Sequence, residues 1–351
     1  MKNFSKEHSM IVKGVAIMLL LVYHLFHESA VLREMHVNYA PFSEEAFLCF
    51  SGFGNICVAV FVMLTAYGIS QIVLLKNETT IRGIYADCLK RFIKLMLGVV
   101  AAYVSVNLIC FPYFNYANLY GTGKQSILLA LCDATGLSAI LNTPMLNPTW
   151  WYMKLAYVLI FLVPLLVYLV KKLGNMVLLL AFFAPFVVGF DADVERYFFV
   201  AVFGVCASCG KWPEKIMNLK IHPIFWWGIG LLGTPICVMF RQNALIKAQF
   251  CNYADAVAAF FIICITATTV GNVPVLNSIL KFIGKHSMNI FLVHTFFYMI
   301  VWRKYVYYFE PAIWTFLILL GVSLVYSVIL EGCKSVIEKI IKIFTKKLKK
   351  D

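Results

Sequence analysis

Apolar residues in this chain gather into long runs, and charged residues fall mainly between them. Ten runs read as helices, at roughly 10–26, 52–75, 93–111, 149–170, 174–190, 196–210, 223–240, 255–272, 286–302 and 312–333. Most approach the ~20 residues that a helix needs to cross a hydrocarbon layer about 30 Å thick. The shortest, 196–210, is bracketed by Arg196 and Lys211. Between the third and fourth runs lies a long connection, 112–148. Its apolar stretch from Ile127 to Leu141 is interrupted by Asp133 and Gly136 and reads as an interfacial or re-entrant helix. Pro144 and Pro148 then break the chain ahead of Trp150 and Trp151, which read as part of an interfacial aromatic belt. Past residue 333 the pattern changes. Val336, Ile337, Ile340, Ile341 and Phe344 keep helical spacing among lysines, as in an amphipathic helix lying on an anionic leaflet.

The expected fold is therefore all-α: a polytopic membrane helical bundle of about ten transmembrane helices. It has a transmembrane domain over 1–333 and a basic amphipathic cytoplasmic tail over 334–351. Alternate connections differ sharply in charge. With the N-terminus inside, 22 of the 30 Lys and Arg residues fall on the inner side and 7 on the outer, with Lys154 inside a span. Lys and Arg bias to the cytoplasmic side, so both termini are expected to be cytoplasmic. The acids Glu28, Glu34, Glu44, Glu45, Asp191, Asp193 and Glu195 then lie outside.

Composition agrees. Hydrophobic residues make up 62% and charged residues 13%, against about 25% charged in soluble domains. A net charge of +13 suggests nucleic acid at first. The basic residues sit at helix ends and in the tail, however, so the bilayer explains them and no nucleic-acid partner is expected. Of eleven cysteines, Cys57, Cys110, Cys206, Cys237 and Cys264 lie in apolar runs. Cys206 and Cys209 have C-x-x-C spacing without a second pair or a nearby histidine, so no metal site is expected. The first run lacks the small-residue cleavage site of a signal peptide.

Two histidines lie deep in these runs. His24 is eleven residues past Lys13, about 16 Å of helix, which places it near mid-membrane. An ionisable group at that depth faces a partner or a water-filled cavity. His294, nine residues past Lys285 and about 14 Å along its helix, reaches similar depth. Two histidines at matching depth point to a shared polar cavity. His27 and Glu28 follow within a turn of His24, and Glu28 is either an orienting partner for its imidazole or a solvated loop acid. His286, at the inner edge of its expected span, reads as ordinary surface. Arg91 and Lys94 share a helix face, and with Lys13 they form a candidate anion site for a phosphorylated cytoplasmic ligand. Thr65-Ala66-Tyr67-Gly68 also reaches mid-depth, where small residues serve close packing or hydroxyls serve chemistry. Trp151 and Lys154 lie near the outer interface; they are candidates for binding an acceptor, and Lys154 equally reads as a side chain snorkelling outward.

In this order the motifs resemble the acyltransferase-3 family of integral-membrane O-acyltransferases, over nearly the whole chain. The family's basic residue, ten residues, then histidine, appears as Lys13 and His24. Its Ser-Gly-aromatic stretch appears as Thr65-Ala66-Tyr67, changed at two of three places. Its basic R-x-x-R appears as Arg91-x-x-Lys94, its tryptophan-led span as Trp150-Trp151-Tyr152, and its late Gly-x-x-Ser…His as Gly284, Ser287 and His294. The resemblance implies an O-acetyltransferase of the inner (cytoplasmic) cell membrane. Its expected donor is cytoplasmic acetyl-CoA, and its acceptor a hydroxyl of a cell-surface or exported glycan. His24 and His294 are then the catalytic pair, with His24 as general base, or less favourably as the site of a transient acyl-histidine. Lys13, Arg91 and Lys94 hold the CoA phosphates, and His294, Tyr67 or Thr65 steadies the oxyanion. The rival reading is a transporter of a small acidic or acylated metabolite with the histidines as proton relays. Against it, the chain has no visible inverted repeat and no matched pair of Gly- or Pro-broken helices.

Overall fold

The computed structural model describes residues 3–27, 32, 34–76 and 81–347. Among these the regular structure is helical, with one isolated β-bridge between Asn38 and Pro311. The principal helices are α1 (Lys6–Phe26), α2 (Glu44–Phe53), α3 (Ile56–Lys76), α4 (Ile81–Cys110), α5 (Lys124–Ala134), α6 (Tyr152–Leu173), α7 (Met176–Val187), α8 (Ala192–Cys209), α9 (Trp212–Met217), α10 (Pro223–Gln242), α11 (Cys251–Thr268), α12 (Pro274–Thr295) and α13 (Ala312–Lys347). Short helical turns fill several connections.

Seven helical segments among the described residues are long and apolar enough to cross a membrane. They are α1, the pair α2–α3, α4, α6, α10, α11 and the first two-thirds of α13. The three other expected spans fall on helices that are shorter or more polar. Helix α7 has 12 residues, α8 opens with Asp193, Glu195 and Arg196, and α12 carries Lys281, Lys285, His286 and Asn289. The basic tail continues α13 as one helix through Lys347. Its side chains from Val336 onward, and with them the expected amphipathic face, lie outside the described residues.

Helix α1 begins where Ser5 caps it, its hydroxyl accepting the His8 N–H at 3.4 Å. It then runs through the middle of the bundle, against α12 above all and also against α3, α11 and α13. The α1–α12 crossing is closer than side chains allow. A Cβ on Gly14 would lie 2.3 Å from the Leu280 carbonyl oxygen, and one on Gly284 would lie 1.8 Å from the Met10 carbonyl oxygen. Only hydrogen fits at either point, so the two backbones touch, as small residues permit in membrane helix pairs. At the periphery, α4 and α10 present Leu97, Leu108, Leu231, Leu232 and Met239 outward. Such an apolar belt is stable only against lipid or another apolar surface.

Two sequence expectations are corrected. His286 is buried, not surface, because α12 starts about three turns before the expected span and places it mid-helix. Its Nδ1 lies 2.8 Å from Ser327 Oγ, and Asn289 donates to Ser327 and Glu331 at 3.0 and 2.8 Å, forming a polar seam between α12 and α13. Trp150 is 1% exposed and does not stand in an aromatic belt. The loop ahead of it folds inward, and its indole N–H donates to the Leu292 carbonyl at 3.0 Å. Gly136, at φ +73°, is where the apolar stretch 127–141 breaks into two helical pieces, as its pattern implied.

Overpacking the α1–α12 contact costs about 1–3 kcal/mol at a site that can relax, and backbone against backbone relaxes least. Gly284→Ala should therefore lower the melting temperature of detergent-purified protein strongly. Gly98→Ala, with open space around it, should be neutral or slightly stabilising. Thermal unfolding of the two variants checks this, and equal melting temperatures would contradict the close-contact account.

Candidate active site

Lys6, Ser9, Lys13, Leu20 and His24 of α1, with His27 just past its end, are spaced by three, four or seven residues and share one face. A cavity of about 720 Å³ runs beside the first part of this stripe, from Lys6 and Lys13 to Leu20. Thr65 from α3, Tyr152 from α6 and Phe291 from α12 line its inner part, and Arg91 from α4 stands at its cationic part with Lys13. Neither Lys13 nor Arg91 has an ion-pair partner among the described residues, whereas neighbouring Lys76 is paired with Asp87. Lys94 is exposed on the same helix as Arg91 and is not part of the cavity wall. Lys6 is a cation of this site that the sequence reading did not select, although its spacing from Lys13 was visible.

The cavity ends one turn short of the two deep histidines. Leu20 precedes His24 by four residues and Phe291 precedes His294 by three. The glycine contact between α1 and α12 brings the histidine rings together, with centroids 5.0 Å apart, and Tyr298 lies 6.3 and 6.1 Å from the two rings. His294 is fully buried. Its Nδ1 lies 2.8 Å from the Phe291 carbonyl and 3.1 Å from that of Ile290. A carbonyl can only accept, so Nδ1 carries the proton and Nε2 holds a lone pair.

Among the described residues that lone pair has one weak hydrogen-bonding neighbour. Thr295 Oγ1 lies 3.3 Å from His294 Nε2 and 3.2 Å from Thr149 Oγ1. Thr149 spends its own proton on Asn147 Oδ1 at 2.8 Å. The single Thr295 proton therefore has two acceptors in reach and cannot serve both. Nε2 of His294 remains open to a donor from the His24 side. Asn147 and Thr149, which complete this shell, were not legible as site residues, and Trp150 was legible only as a motif position, since their partners on α12 lie some 145 residues away.

The other expected site residues are placed as follows. Thr65 faces the cavity, half-buried. Tyr67 also reaches its wall, but its hydroxyl donates to Glu214 Oε1 at 2.5 Å. Trp151 stacks on Tyr197, with centroids 6.3 Å apart. Lys154 is held by Asp191 and Asp193 at 3.0 and 3.1 Å at the start of α8. Glu28 lies outside the described residues.

The loop that delivers Asn147 and Trp150 is anchored by Asp133. This carboxylate is fully buried, and its Oδ2 accepts the Tyr120 hydroxyl and the Leu146 N–H, each at 2.6 Å. Its Oδ1 has no partner among the described residues. Burial pushes the Asp133 carboxyl up to about 6 despite those two bonds.

A family model described as an acyltransferase domain matches residues 10–332. No curated protein and no solved structure matches the chain.

The raised Asp133 value fixes a sign. The folded state holds this proton up to about pH 6, while the unfolded chain releases it near pH 3.9. Stability is thus fullest below pH 4 and falls as pH rises to 6, by on the order of 3 kcal/mol from this group. Asp133→Asn should flatten that slope. Melting curves from pH 4 to 7 check it, and parallel slopes in wild type and variant would refute the assignment.

Proposed function

This chain belongs to the acyltransferase-3 family, and we propose on that premise that it acetylates a hydroxyl of a cell-surface or exported glycan from cytoplasmic acetyl-CoA. It is a multi-pass membrane acyltransferase. In the proposed orientation both termini, the Lys13 end of the cavity and the basic tail lie on the cytoplasmic side of the cell membrane. One observation carries the reading: a cationic mouth at Lys13 opens into a cavity that stops one turn from His24, which lies beside His294.

Each part has a task. The CoA phosphates sit on Lys6, Lys13 and Arg91, next to the positive end of the α1 dipole. Lys94, exposed on the same face, adds long-range attraction. The pantetheine arm follows the apolar wall inward and brings the thioester to the histidine pair. The open Nε2 of His294 accepts the N–H of neutral His24, which leaves the second His24 nitrogen free as general base. That nitrogen takes the proton of the acceptor hydroxyl as its oxygen attacks the thioester carbon. The C–S bond then breaks, and the departing CoA thiolate takes the proton back from His24. In this tautomer His294 accepts and cannot donate to the oxyanion. Thr65, which lines the cavity beside Tyr152, is the better placed donor.

The test uses purified protein with labelled acetyl-CoA. General-base removal costs about 10²- to 10⁴-fold, so His24→Ala should lower transfer by that much. Lys13→Ala should raise KM for the donor with little change in kcat, because a phosphate contact made equally in ground and transition states affects binding alone. Wild-type transfer by folded His24→Ala protein would sink the mechanism.

A further inference from the structure

Beyond His24, at the other end of α1, a second cavity of about 540 Å³ opens. Tyr23 and His27, on either side of His24 in sequence, line it. Its remaining wall is strongly polar and unlike the apolar donor cavity. Arg196 from α8, Arg241 from α10 and Lys247 after it contribute three cations, and Glu195 is its one acid among the described residues. His24 therefore sits on α1 between two cavities of opposite character.

The charges of this second cavity are not balanced. Arg241 is answered by a buried partner: its Nε and Nη2 reach Asp255 at 2.5 and 3.3 Å, with both residues almost fully buried. Arg196 is not answered in this way, although the Asp255 carboxylate acts on it at longer range. Among the described residues it makes no ion pair, its buried Nε has no hydrogen-bond partner, and its Nη2 reaches only Cys251 Sγ at 3.9 Å. Its guanidinium lies 5.4 Å from the Tyr197 ring, which steadies its position but does not satisfy its donors. A half-buried guanidinium with a buried, unpaired Nε–H is costly unless an anion meets it. Its planar fork matches a carboxylate or phosphate through two parallel bonds. Exposed Lys247 would draw an anion toward the same opening.

We propose that this second cavity seats the acceptor, and that the acceptor is anionic. Its carboxylate or phosphate is held by Arg196 while one of its hydroxyls reaches His24. The assignment rests on the acyl-transfer reading, and it adds the acceptor's chemical class. The reaction keeps the same balance: the acceptor O–C bond forms, the donor C–S bond breaks, and the hydroxyl proton leaves with the CoA thiol.

The test is direct binding to full-length protein in nanodiscs. The probes are oligogalacturonate, its uncharged methyl ester, and a glycerol phosphate oligomer. Wild type should bind at least one charged probe tenfold or more tighter than the ester. The preferred probe identifies carboxylate or phosphate as the natural group, and comparable binding of both supports the shared chemistry. Arg196→Gln should abolish the preference, and Arg196→Lys should retain part of it. Equal binding of charged and neutral probes, no binding of any, or a preference that survives Arg196→Gln would overturn the proposal. Should Arg196→Gln not fold, the wild-type comparison and Arg196→Lys still decide. Acetyl-CoA binding by wild type is measured alongside. If it is absent while Arg196-dependent anion binding persists, the transfer reading falls and the anion site stands. If acetyl-CoA binds and the anion preference is missing, the reverse holds.

Discussion

The architecture depends on one contact, the backbone-to-backbone crossing of α1 and α12 at Gly14 and Gly284. In lipid, helices gain little from burying apolar side chains against each other, so close packing carries much of the association. Two glycines facing opposite carbonyls bring the helix axes near enough for residues further along to meet. The consequence appears where the helices next carry polar groups: His24 and His294 lie with ring centroids 5.0 Å apart. Spread the helices at the glycines and the histidines part, while the cavity wall shared by Leu20 and Phe291 opens with them.

Around that axis the bundle separates tasks by position. The Lys13 end of α1 offers cations and an apolar tunnel, which suits a ligand with phosphates at one end and a flexible arm. The far end offers a polar chamber with an arginine that has no ion pair among the described residues. The loop 142–151 closes the site from the side. It is pinned by Asp133 at Leu146 and by Asn147 and Trp150 on the Leu292 carbonyl. Buried polar groups of this kind are expensive, and they persist where each has a partner or a ligand to find.

Much of this was legible in the sequence, for identifiable reasons. Hydrophobic runs mark helices because the membrane demands a fixed apolar length. Helical rise from Lys13 and from Lys285 puts His24 and His294 at similar positions along their helices, and the glycine crossing brings them together. The role of Gly284 was visible as a motif position but not as a contact, since nothing local says which carbonyl a glycine must clear. Trp150 and His286 were misplaced because a loop's direction and a helix's true start depend on distant partners, Leu292 for one and Ser327 for the other. Tyr67 was a candidate oxyanion donor and Lys154 a candidate acceptor ligand in sequence, and the structure gives them Glu214 and the Asp191–Asp193 pair. The second cavity draws on residues from 23 to 252, so no window of sequence contains it.

The central claim is that the Lys13 cavity delivers an acyl thioester to His24. The most direct measurement is an experimental structure with a non-hydrolysable ketone analogue of acetyl-CoA bound. The account predicts phosphate density at Lys13 and Arg91, with the analogue's carbonyl carbon about 3–4 Å from the space an acceptor oxygen would occupy beside His24. An acyl group resting out of reach of His24, or phosphates bound away from Lys13 and Arg91, would contradict it.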